Sequence, residues 1–484
     1  MAIPLAAACA EGDQPSQPLA LQVTPLTGTS CGDPDSPTPG PDPFSDAGKV
    51  TVAVRGIDAD SGLFETLVKK TSSIRSGSAL NIGRIPEGAE REVVVFAKGS
   101  AQSWFGRDTG LDVRRNADTA AAMVLTRYDG FSCAPTPEGV QNTVFPAAVT
   151  MGDGRILVAG GFTSIIDDGG TTKLAGATAA AFVFDPRTGT STAIPNGMKP
   201  ENRRGAATMV WLEGAKKVLV LGGASELTID EAKAFPFALD VSKAFDDYLL
   251  FDPATNEFSE GTDRMSVKRA FARAAALSDG TVLVTGGGAW PFDADDAHLA
   301  CDVFDPQDNA KQGGFLDIPL LRGFYPRAGH SLTFLKTTPE GLSQLLIWGG
   351  TTPERSLNHP AEIFKQSGRQ QDRINGTFAE VLLVGDPNQP PDFTYFHEVT
   401  RLSGQRFLAT GGAPFRDGNI QAPADDESWL LTFSDADAPT LVVTRVPGLG
   451  IGRVFHTALP TTSATWRSSV AGPRSTRSAR PTTS

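Results

Sequence analysis

Histidine, tyrosine and cysteine are scarce in this sequence of 484 residues, which contains five, four and four of them. The histidines and tyrosines are scattered along the chain, so they form no motif of the kind that metal or radical enzymes need. The sequence also lacks nucleophile motifs and phosphate-cradling loops. These shortages argue against catalysis by any of these routes.

Basic residues and long apolar runs are also few. Lysine and arginine number 43 against 55 aspartates and glutamates, which leaves a net charge of −12. Such a surface repels nucleic acid and anionic lipid, so neither is an expected partner. No run of 18 apolar residues exists, so no segment of this sequence is expected to span a membrane.

Glycine and proline are plentiful, at 51 and 35 residues, which suits short strands joined by tight turns. Five Gly-Gly pairs, each ending an apolar run, recur with spacings of 62, 64, 63 and 62 residues. The pairs are Gly160 and Gly161, Gly222 and Gly223, Gly286 and Gly287, Gly349 and Gly350, and Gly411 and Gly412. A period this regular indicates a repeat protein, in which the glycines are interpreted as scaffold positions where backbones approach closely.

Each repeat divides into four predicted strands. A mostly apolar run is followed by a tight turn, such as Asp153-Gly154 or Asp279-Gly280, and then by the strand that ends in Gly-Gly. A third strand ends in Asp-Pro in the first three repeats, as at Asp185, and a fourth strand follows. Four antiparallel strands per repeat correspond to one blade of a β-propeller.

Two repeat openings, Arg327-Ala-Gly-His330 and Arg453-Val-Phe-His456, resemble Kelch repeats when combined with the Asp-Gly turn, the Gly-Gly pair and Phe-Asp-Pro. The resemblance covers residues 131–460. It implies an all-β, Kelch-type propeller with five blades and the start of a sixth. It also implies that His330 and His456 pack or hydrogen-bond between blades rather than bind a ligand.

The related galactose-oxidase-type propellers imply an alternative function, that of a carbohydrate-directed oxidoreductase with copper. That site would need paired histidines and tyrosines, with one tyrosine crosslinked to a cysteine. No such set stands in the family's arrangement here. Tyr395 and His397 are close in sequence, and this proximity is interpreted as incidental.

Before the repeats, residues 48–130 contain alternating apolar and polar runs that predict strands. The clearest are Lys49–Ile57, Arg91–Lys98 and Ala120–Arg127, with Ser78–Ile82 as a further candidate. We interpret this region as a small β-sandwich that resembles immunoglobulin-like or carboxypeptidase-regulatory-like modules of envelope proteins. Its expected role is that of a spacer.

The run Leu5-Ala-Ala-Ala-Cys9 resembles a bacterial lipobox, which implies cleavage before Cys9 and a lipid on its sulfur. Residues 1–9 would then be the remnant of a signal peptide, whose charged start would lie upstream of Met1. Residues 10–47 are rich in proline, serine, aspartate and glycine and are expected to form a disordered tether. The resemblance implies a bacterial envelope protein, lipid-anchored at the outer membrane or surface, or secreted. The sequence leaves open whether Cys31, Cys133 and Cys301 form disulfides.

Long segments follow the Gly-Gly pairs at 162–180, 224–247 and 288–300, and they are expected to share one face of the propeller. Binding usually takes place on such loops. The third segment offers calcium or another divalent cation four ligands, namely Asp293, Asp295, Asp296 and His298. Their spacing matches no defined loop, so a solvated acidic loop is the favoured interpretation. Within the second segment, Glu226–Lys233 predicts a short helix.

Residues 461–484 break the pattern, because they are rich in serine, arginine, threonine and proline and contain no Gly-Gly pair. They are either a disordered tail or the product of a frameshift. Back-translating Ala464–Pro473 with G- or C-ending codons and reading one base earlier gives Asp-Val-Ala-Val-Leu-Gly-Gly-Gly-Pro. That would be a blade core about one repeat after Gly411, so the frameshift is favoured, and resequencing the gene tests it.

Together these features predict a non-catalytic binding protein of the bacterial envelope. The long-loop face of its propeller would recognise a protein or a glycan, and no cofactor would be required. The ligand itself is not encoded in any motif of the sequence.

Overall fold

A computed structural model shows a chain that is all-β in its described part, apart from the short 3-10 helix Pro200–Asn202. The structure describes residues 2–3, 16–17, 19–25, 47–58, 63–73, 85–100, 103–114, 119–128, 137, 140, 143–230, 239–240, 242–287, 301–308, 313–316, 329–350, 361–370, 373–385, 394–402, 404–416, 419–420, 427–434 and 439–447. Cys9, the candidate strand Ser78–Ile82, the start of the sixth repeat and the tail 461–484 lie outside these residues.

Nine strands precede the repeats. They are β1 (Ala2–Ile3), β2 (Ser16–Gln17), β3 (Leu19–Pro25), β4 (Ala47–Ile57), β5 (Phe64–Ser72), β6 (Ile85–Pro86), β7 (Gly88–Gly99), β8 (Ser103–Val113) and β9 (Thr119–Arg127). Seven of them form one sheet in the order β1-β3-β9-β8-β7-β4-β5, and β2 pairs with β6. Alternate residues of β4, Val50, Val52 and Val54, are buried in a core with Trp104 and Met123, as the predicted period of two requires.

Strand β3 lies within residues 10–47, which were expected to form a disordered tether. Leu19–Pro25 pairs in parallel with Thr119–Leu125 of β9, and the tether stays a prediction for the rest of residues 10–47. The segment forms a strand because its apolar residues recur at every second position, and because the edge of β9 offers main-chain groups that need partners. Seven of the nine described strands of this region join one sheet, and the sandwich stays a prediction.

The repeat region supplies the remaining strands. In chain order they are β10 (Ala147–Thr150), β11 (Ile156–Ala159), β12 (Phe162–Asp167), β13 (Thr171–Ala177), β14 (Ala181–Asp185), β15 (Thr190–Ala193), β16 (Thr208–Leu212), β17 (Lys217–Leu221), β18 (Leu227–Asp230), β19 (Leu239–Asp240), β20 (Tyr248–Asp252), β21 (Glu257–Glu260), β22 (Arg273–Ala276), β23 (Val282–Thr285), β24 (Asp302–Asp305), β25 (Gly314–Phe315), β26 (Ser331–Thr337), β27 (Ser343–Trp348), β28 (Ala361–Gln370), β29 (Arg373–Glu380), β30 (Leu382–Gly385), β31 (Thr394–Tyr395), β32 (Glu398–Arg401), β33 (Arg406–Thr410), β34 (Ala413–Arg416), β35 (Asn419–Ile420), β36 (Glu427–Ser434) and β37 (Thr440–Pro447).

Five sheets of this region have the strand order of propeller blades. Blades 1 to 4 are β10-β11-β14-β15, β16-β17-β20-β21, β22-β23-β24-β25 and β26-β27-β28-β29, and blade 5 is β32-β33-β36-β37 with β30 added outside β37. The first strands of successive blades lie side by side. Antiparallel four-stranded sheets arranged in this way form a β-propeller, which confirms the predicted all-β propeller fold.

The hydrophobic cores of the propeller lie between neighbouring blades. In the second strand of blade 2, Val218 and Val220 pack with blade 1, whereas Leu219 and Leu221 pack with blade 3. All four side chains are buried. The apolar run before each Gly-Gly pair is therefore continuous because the strand is covered on both faces.

The segments that follow the Gly-Gly pairs of blades 1 and 2 contain regular structure that the sequence did not predict. They form an antiparallel sheet of order β12-β13-β18-β19, which we call the canopy sheet. Thr171 to Leu174 of β13 pair with Asp230 to Leu227 of β18, so the sheet joins the two blades. The helix expected at Glu226–Lys233 is wrong over Leu227–Asp230, because that segment finds a strand partner in β13.

Candidate functional site at the channel mouth

In each of the five blades, the residue two positions before the first strand has an uncommon backbone conformation. They are Phe145, Ala206, Phe271, Gly329 and Phe396, with φ angles of 55, 55, 58, 70 and 56°. Hydrogen bonds between neighbouring blades maintain this left-handed conformation, which side chains disfavour by about 1 kcal/mol. The N–H of Ala206 donates to the carbonyl of Phe145 over 3.0 Å, that of Phe271 to Ala206 over 3.0 Å, and that of Phe396 to Gly329 over 2.8 Å. We call these five residues the rim.

The three phenylalanines of the rim come from alternate blades and meet at the centre of the propeller. The ring of Phe271 lies edge-on to Phe145 at 5.4 Å between centroids, and it lies 5.6 Å from Phe396. The rim residues of blades 2 and 4, Ala206 and Gly329, are smaller and leave room for these rings. The rim and the adjoining first-strand residues line a cavity of about 60 Å³, which we call the channel mouth and which has space for a few waters or a small polar group.

Arg273, at the first position of β22, lines the same cavity as the rings, and Glu398, at the first position of β32, pairs with it. Nη1 of Arg273 lies 3.2 Å from Oε2 of Glu398, and Nε of Arg273 donates to the carbonyl of His330 over 2.9 Å. This ion pair ties blade 3 to blade 5 past blade 4. Burial raises the pKa of Glu398 by more than the neighbouring Arg273 guanidinium lowers it. Nη2 of Arg273 takes part in none of these bonds, so the channel mouth offers a cationic donor beside an apolar wall.

The canopy sheet packs against the rim on the long-loop face. Phe162, Leu174 and Leu227 of the sheet share a buried cluster with Ala206, and Phe271 packs against that cluster. The long segments of blades 1 and 2 are therefore anchored to the channel mouth by apolar contacts rather than lying free on the surface.

The canopy sheet also carries a charged group on its surface. Glu226 lies 2.8 Å from Nζ of Lys173 and 2.8 Å from Nζ of Lys243. The hydrogen bond from Lys173, followed by that from Lys243, holds the pKa of Glu226 below its usual range. The Lys173 pair links β13 of blade 1 to the segment of blade 2 that leads into β18.

The ten repeat glycines share a backbone conformation, and those of blades 1 and 2 contact the next blade. All of them have positive φ, from 56 to 101°. A Cβ on Gly222 would overlap the carbonyl of Arg269 in the next blade, and the N–H of Gly223 donates to that carbonyl over 2.8 Å. The N–H of Gly161 makes the same bond to Arg204 over 2.9 Å. Glycine at these positions therefore lets the start of one blade touch the end of the preceding blade's second strand.

Two of the recurrent arginines are buried in the interior rather than exposed for binding. Arg204 is 1 % exposed and pairs with Asp247 at 2.6 Å, and it also donates to the Gly222 carbonyl over 3.0 Å. Arg269 is fully buried and pairs with Asp302 at 2.9 Å. These side chains tie the opening of a blade to its own third strand.

His330 and His397, at the openings of blades 4 and 5, are also buried and contact the preceding blade. Nε2 of His330 lies 2.9 Å from Oγ1 of Thr285, and Nε2 of His397 lies 3.2 Å from Oγ of Ser331. The hydrogen bond between blades that the resemblance implied for His330 is therefore present. His456 lies outside the described residues.

Tyr248 and Cys301 belong to hydrophobic cores. The Tyr248 hydroxyl donates to the Gly313 carbonyl over 2.6 Å, and its ring packs edge-on against Phe304 and Phe315. Burial raises the pKa of Tyr248 to about 12 and that of the Cys301 thiol to about 12. Both groups are therefore protonated at neutral pH and serve packing.

Metal binding stays a prediction for the acidic loop. Asp293, Asp295, Asp296 and His298 lie outside the described residues. Across the part of the chain that the structure describes, no three His, Cys, Asp or Glu side chains are grouped so that they could hold a metal ion. Within the same residues, no helix has the length and apolarity required to cross a membrane.

The channel mouth was not among the sites predicted from the sequence, although the repeat contains a signal for it. Rim residues follow the repeat arginine by two positions, as Phe271 follows Arg269. An alignment of the repeats at this position shows aromatic residues at Phe145, Phe271 and Phe396. Charged residues, Arg273 and Glu398, follow the last two of them by two positions. No pattern in the sequence, however, shows that Arg273 and Glu398 meet.

Comparisons with known proteins show only remote likeness. No family model matches the chain, and no curated protein matches it. Among solved structures, that of YjhT has a TM-score of 0.40 at 16% identity, covering 72% of this chain and 94% of the other. A fungal alcohol oxidase of the AA5 family in complex with copper has a TM-score of 0.40 at 13% identity, covering 76% and 64%. A complex of RAG with one melted and one unmelted RSS has a TM-score of 0.30 at 18% identity, covering 40% and 56%. At these scores the likenesses carry no argument about function.

Proposed function

We propose that this chain is a non-catalytic binding protein that uses the long-loop face of its propeller to hold a protein or a glycan. The observation that carries the proposal is the channel mouth, where Arg273, paired with Glu398, lies beside three phenylalanine rings. Aromatic faces with a few well-placed polar groups are the usual composition of a binding site. Arg273 and Glu398 lie on the first strands of blades 3 and 5, so the propeller scaffold holds both side chains in place.

The residues of the channel mouth would make different contributions to binding. Phe145 and Phe271 supply apolar surface for a small apolar group of the ligand. Arg273 supplies a donor through Nη2, while its bonds to Glu398 and to the His330 carbonyl fix its orientation. A ligand that carries a hydroxyl, a carbonyl or a carboxylate next to an apolar face fits this combination.

Binding arrays test this proposal. The purified chain is applied to a glycan array and to an array of envelope proteins, and the strongest signal is followed by titration with Arg273→Ala and Phe145→Ala. Both variants should weaken binding about tenfold or more, whereas Arg155→Ala, an exposed position in the Asp-Gly turn of blade 1, should bind as the wild type. Circular dichroism checks that each variant is folded.

Two results would contradict the proposal. Saturable binding that neither mouth variant weakens would place the site elsewhere. Stoichiometric copper in the purified protein, together with alcohol-dependent peroxide production, would replace the binding function with that of a galactose-oxidase-like oxidoreductase.

We further propose that Cys9 carries a lipid and places the chain in a bacterial envelope. The proposal rests on the lipobox-like run that ends at Cys9. Radioactive palmitate given to a bacterial host should label the wild-type protein expressed behind a complete lipoprotein signal peptide, and should not label Cys9→Ser. Equal labelling of both proteins, or labelling of neither, would contradict the anchor.

A further inference from the structure

The outer edge of blade 5 is only partly paired. Strand β30 pairs in parallel with β37 from Leu382↔Thr440 to Gly385↔Val443 and ends there. Strand β37 continues to Pro447, and beyond Val443 its outer side has no strand partner among the described residues. Alternate main-chain groups of this last part of β37 therefore point away from β36, as in any edge strand.

A groove lies at the end of β30, beside this edge. Its volume is about 420 Å³, and Val384, Trp429, Val442, Thr444 and Arg445 contribute to its walls. The side chains of Val384 and Val442 are 44% and 39% exposed. The groove therefore combines open main-chain groups with exposed apolar surface.

Two polar side chains line the groove, and the described residues supply no hydrogen-bond partner to one and no ion-pair partner to the other. Trp429 is only 7% exposed, and its indole Nε1 finds no hydrogen-bond partner among the described residues, which is costly for a buried donor. Arg445 is directly opposite Trp429 in the register of β36 and β37. Its side chain is exposed and forms no ion pair within the described part of the chain. One unsatisfied donor and one unpaired cation together favour a ligand that brings an acceptor and a negative charge.

The chain's own next residues are poorly suited to continue the ladder. The sequence from Asp386 to Phe393 contains Pro387, Pro390 and Pro391. Proline has no N–H to donate to a neighbouring strand. A separate segment with free N–H groups would pair better along this edge.

We propose that the edge of β37 beyond Val443 is a docking site for an extended peptide that carries an acidic side chain. The peptide continues the line of β30 and adds main-chain hydrogen bonds to β37, as in other cases of strand addition. Its acidic side chain pairs with Arg445, a peptide carbonyl accepts the Trp429 N–H, and an apolar side chain covers Val384 and Val442. This site is distinct from the channel mouth and does not depend on what binds there.

Fluorescence anisotropy with two labelled peptides tests the site. The probes are fluorescein-labelled Val-Thr-Glu-Val-Thr-Val and the matched peptide with lysine in place of glutamate. The full chain should bind the glutamate peptide about tenfold more tightly than the lysine peptide. Arg445→Glu should reverse that order, and Trp429→Phe, which keeps the ring and removes the N–H, should weaken binding severalfold. Arg155→Glu, an equal charge change at an exposed position of blade 1, should bind as the wild type.

Several outcomes would overturn the proposal. Equal affinity for the two peptides, unchanged binding by Arg445→Glu, or binding of neither peptide would each do so. If the glutamate peptide binds only after residues 386–393 are deleted, the chain's own segment occupies the groove, and the proposal of an open docking site is wrong. Loss of peptide binding leaves the channel mouth untouched, so it is distinguishable from failure of the proposed function.

Discussion

The N–H of Gly223 donates to the carbonyl of Arg269 over 2.8 Å, and this bond joins the second strand of blade 2 to the opening of blade 3. The preceding glycine, Gly222, has a φ of 56° and faces the same carbonyl. A blade is thus held to its neighbour by main-chain contacts as well as by apolar side chains. The stability of the propeller should therefore depend strongly on these positions.

We predict that Gly222→Ala destabilises the propeller. The new Cβ would overlap the Arg269 carbonyl, and the left-handed backbone would be strained, so the free energy of unfolding should fall by about 2 kcal/mol or more. Urea denaturation measures the change. Gly214→Ala is the matched control, because a Cβ there meets open space and should change stability by about 0.5 kcal/mol or less. Equal effects of the two substitutions would contradict the role assigned to Gly222.

Arg269→Leu should destabilise the protein by leaving Asp302 without its buried partner. Arg269 is fully buried, and Asp302 is only 5% exposed. Removing one member of a buried ion pair costs about 3 kcal/mol. Arg155→Leu breaks an exposed pair with Asp153 and should cost less than about 1 kcal/mol. Thermal and urea unfolding of both variants check the difference, and similar losses would refute the prediction.

Thr285→Val should remove the hydrogen bond to Nε2 of His330 and leave that buried nitrogen short of one partner. The expected loss in the free energy of unfolding is about 1 to 3 kcal/mol. Thr163→Val removes an exposed hydroxyl that bonds to the Gly176 carbonyl, so it should have a smaller effect. Unchanged stability of Thr285→Val would show that the bond between blades 3 and 4 contributes nothing.

Glu398 should make stability depend on pH in an identifiable direction. Because burial raises its pKa above the usual 4.5, the folded state binds a proton more tightly than the unfolded state. The stability that Glu398 contributes is fully present below the unfolded pKa and is lost as the pH rises through the folded pKa. The free energy of unfolding of the wild type relative to Glu398→Gln should therefore decrease as the pH rises from about 4 and then level off. Urea unfolding over this range gives the comparison, and an increase with pH would contradict it.

Much of the fold could be predicted from local pattern. The Gly-Gly pairs, the Asp-Gly turns and the Asp-Pro ends mark blades 1 to 3 because each signal acts within a few residues of its own strand. The long segments were predicted less well. Leu227–Asp230 was expected to lie in a helix, and it is a strand because a partner from another blade is available. Local propensity is overridden when a tertiary partner exists.

The candidate site was less predictable than the fold. The repeat alone shows that Phe145, Phe271 and Phe396 occupy one position, but it does not show that their rings meet. The contact between Arg273 and Glu398 joins residues that are 125 positions apart, and no local signal encodes it.

By itself, the sequence determined the repeat length, the strands of the blades and the glycine positions, because these depend on backbone geometry and on the alternation of apolar residues over short distances. Only the tertiary structure decided which long segments pair in the canopy sheet, where the rim phenylalanines meet and how far β30 covers β37. Those features arise from contacts between different blades, and the energy of such a contact depends on both partners being brought together by the whole fold.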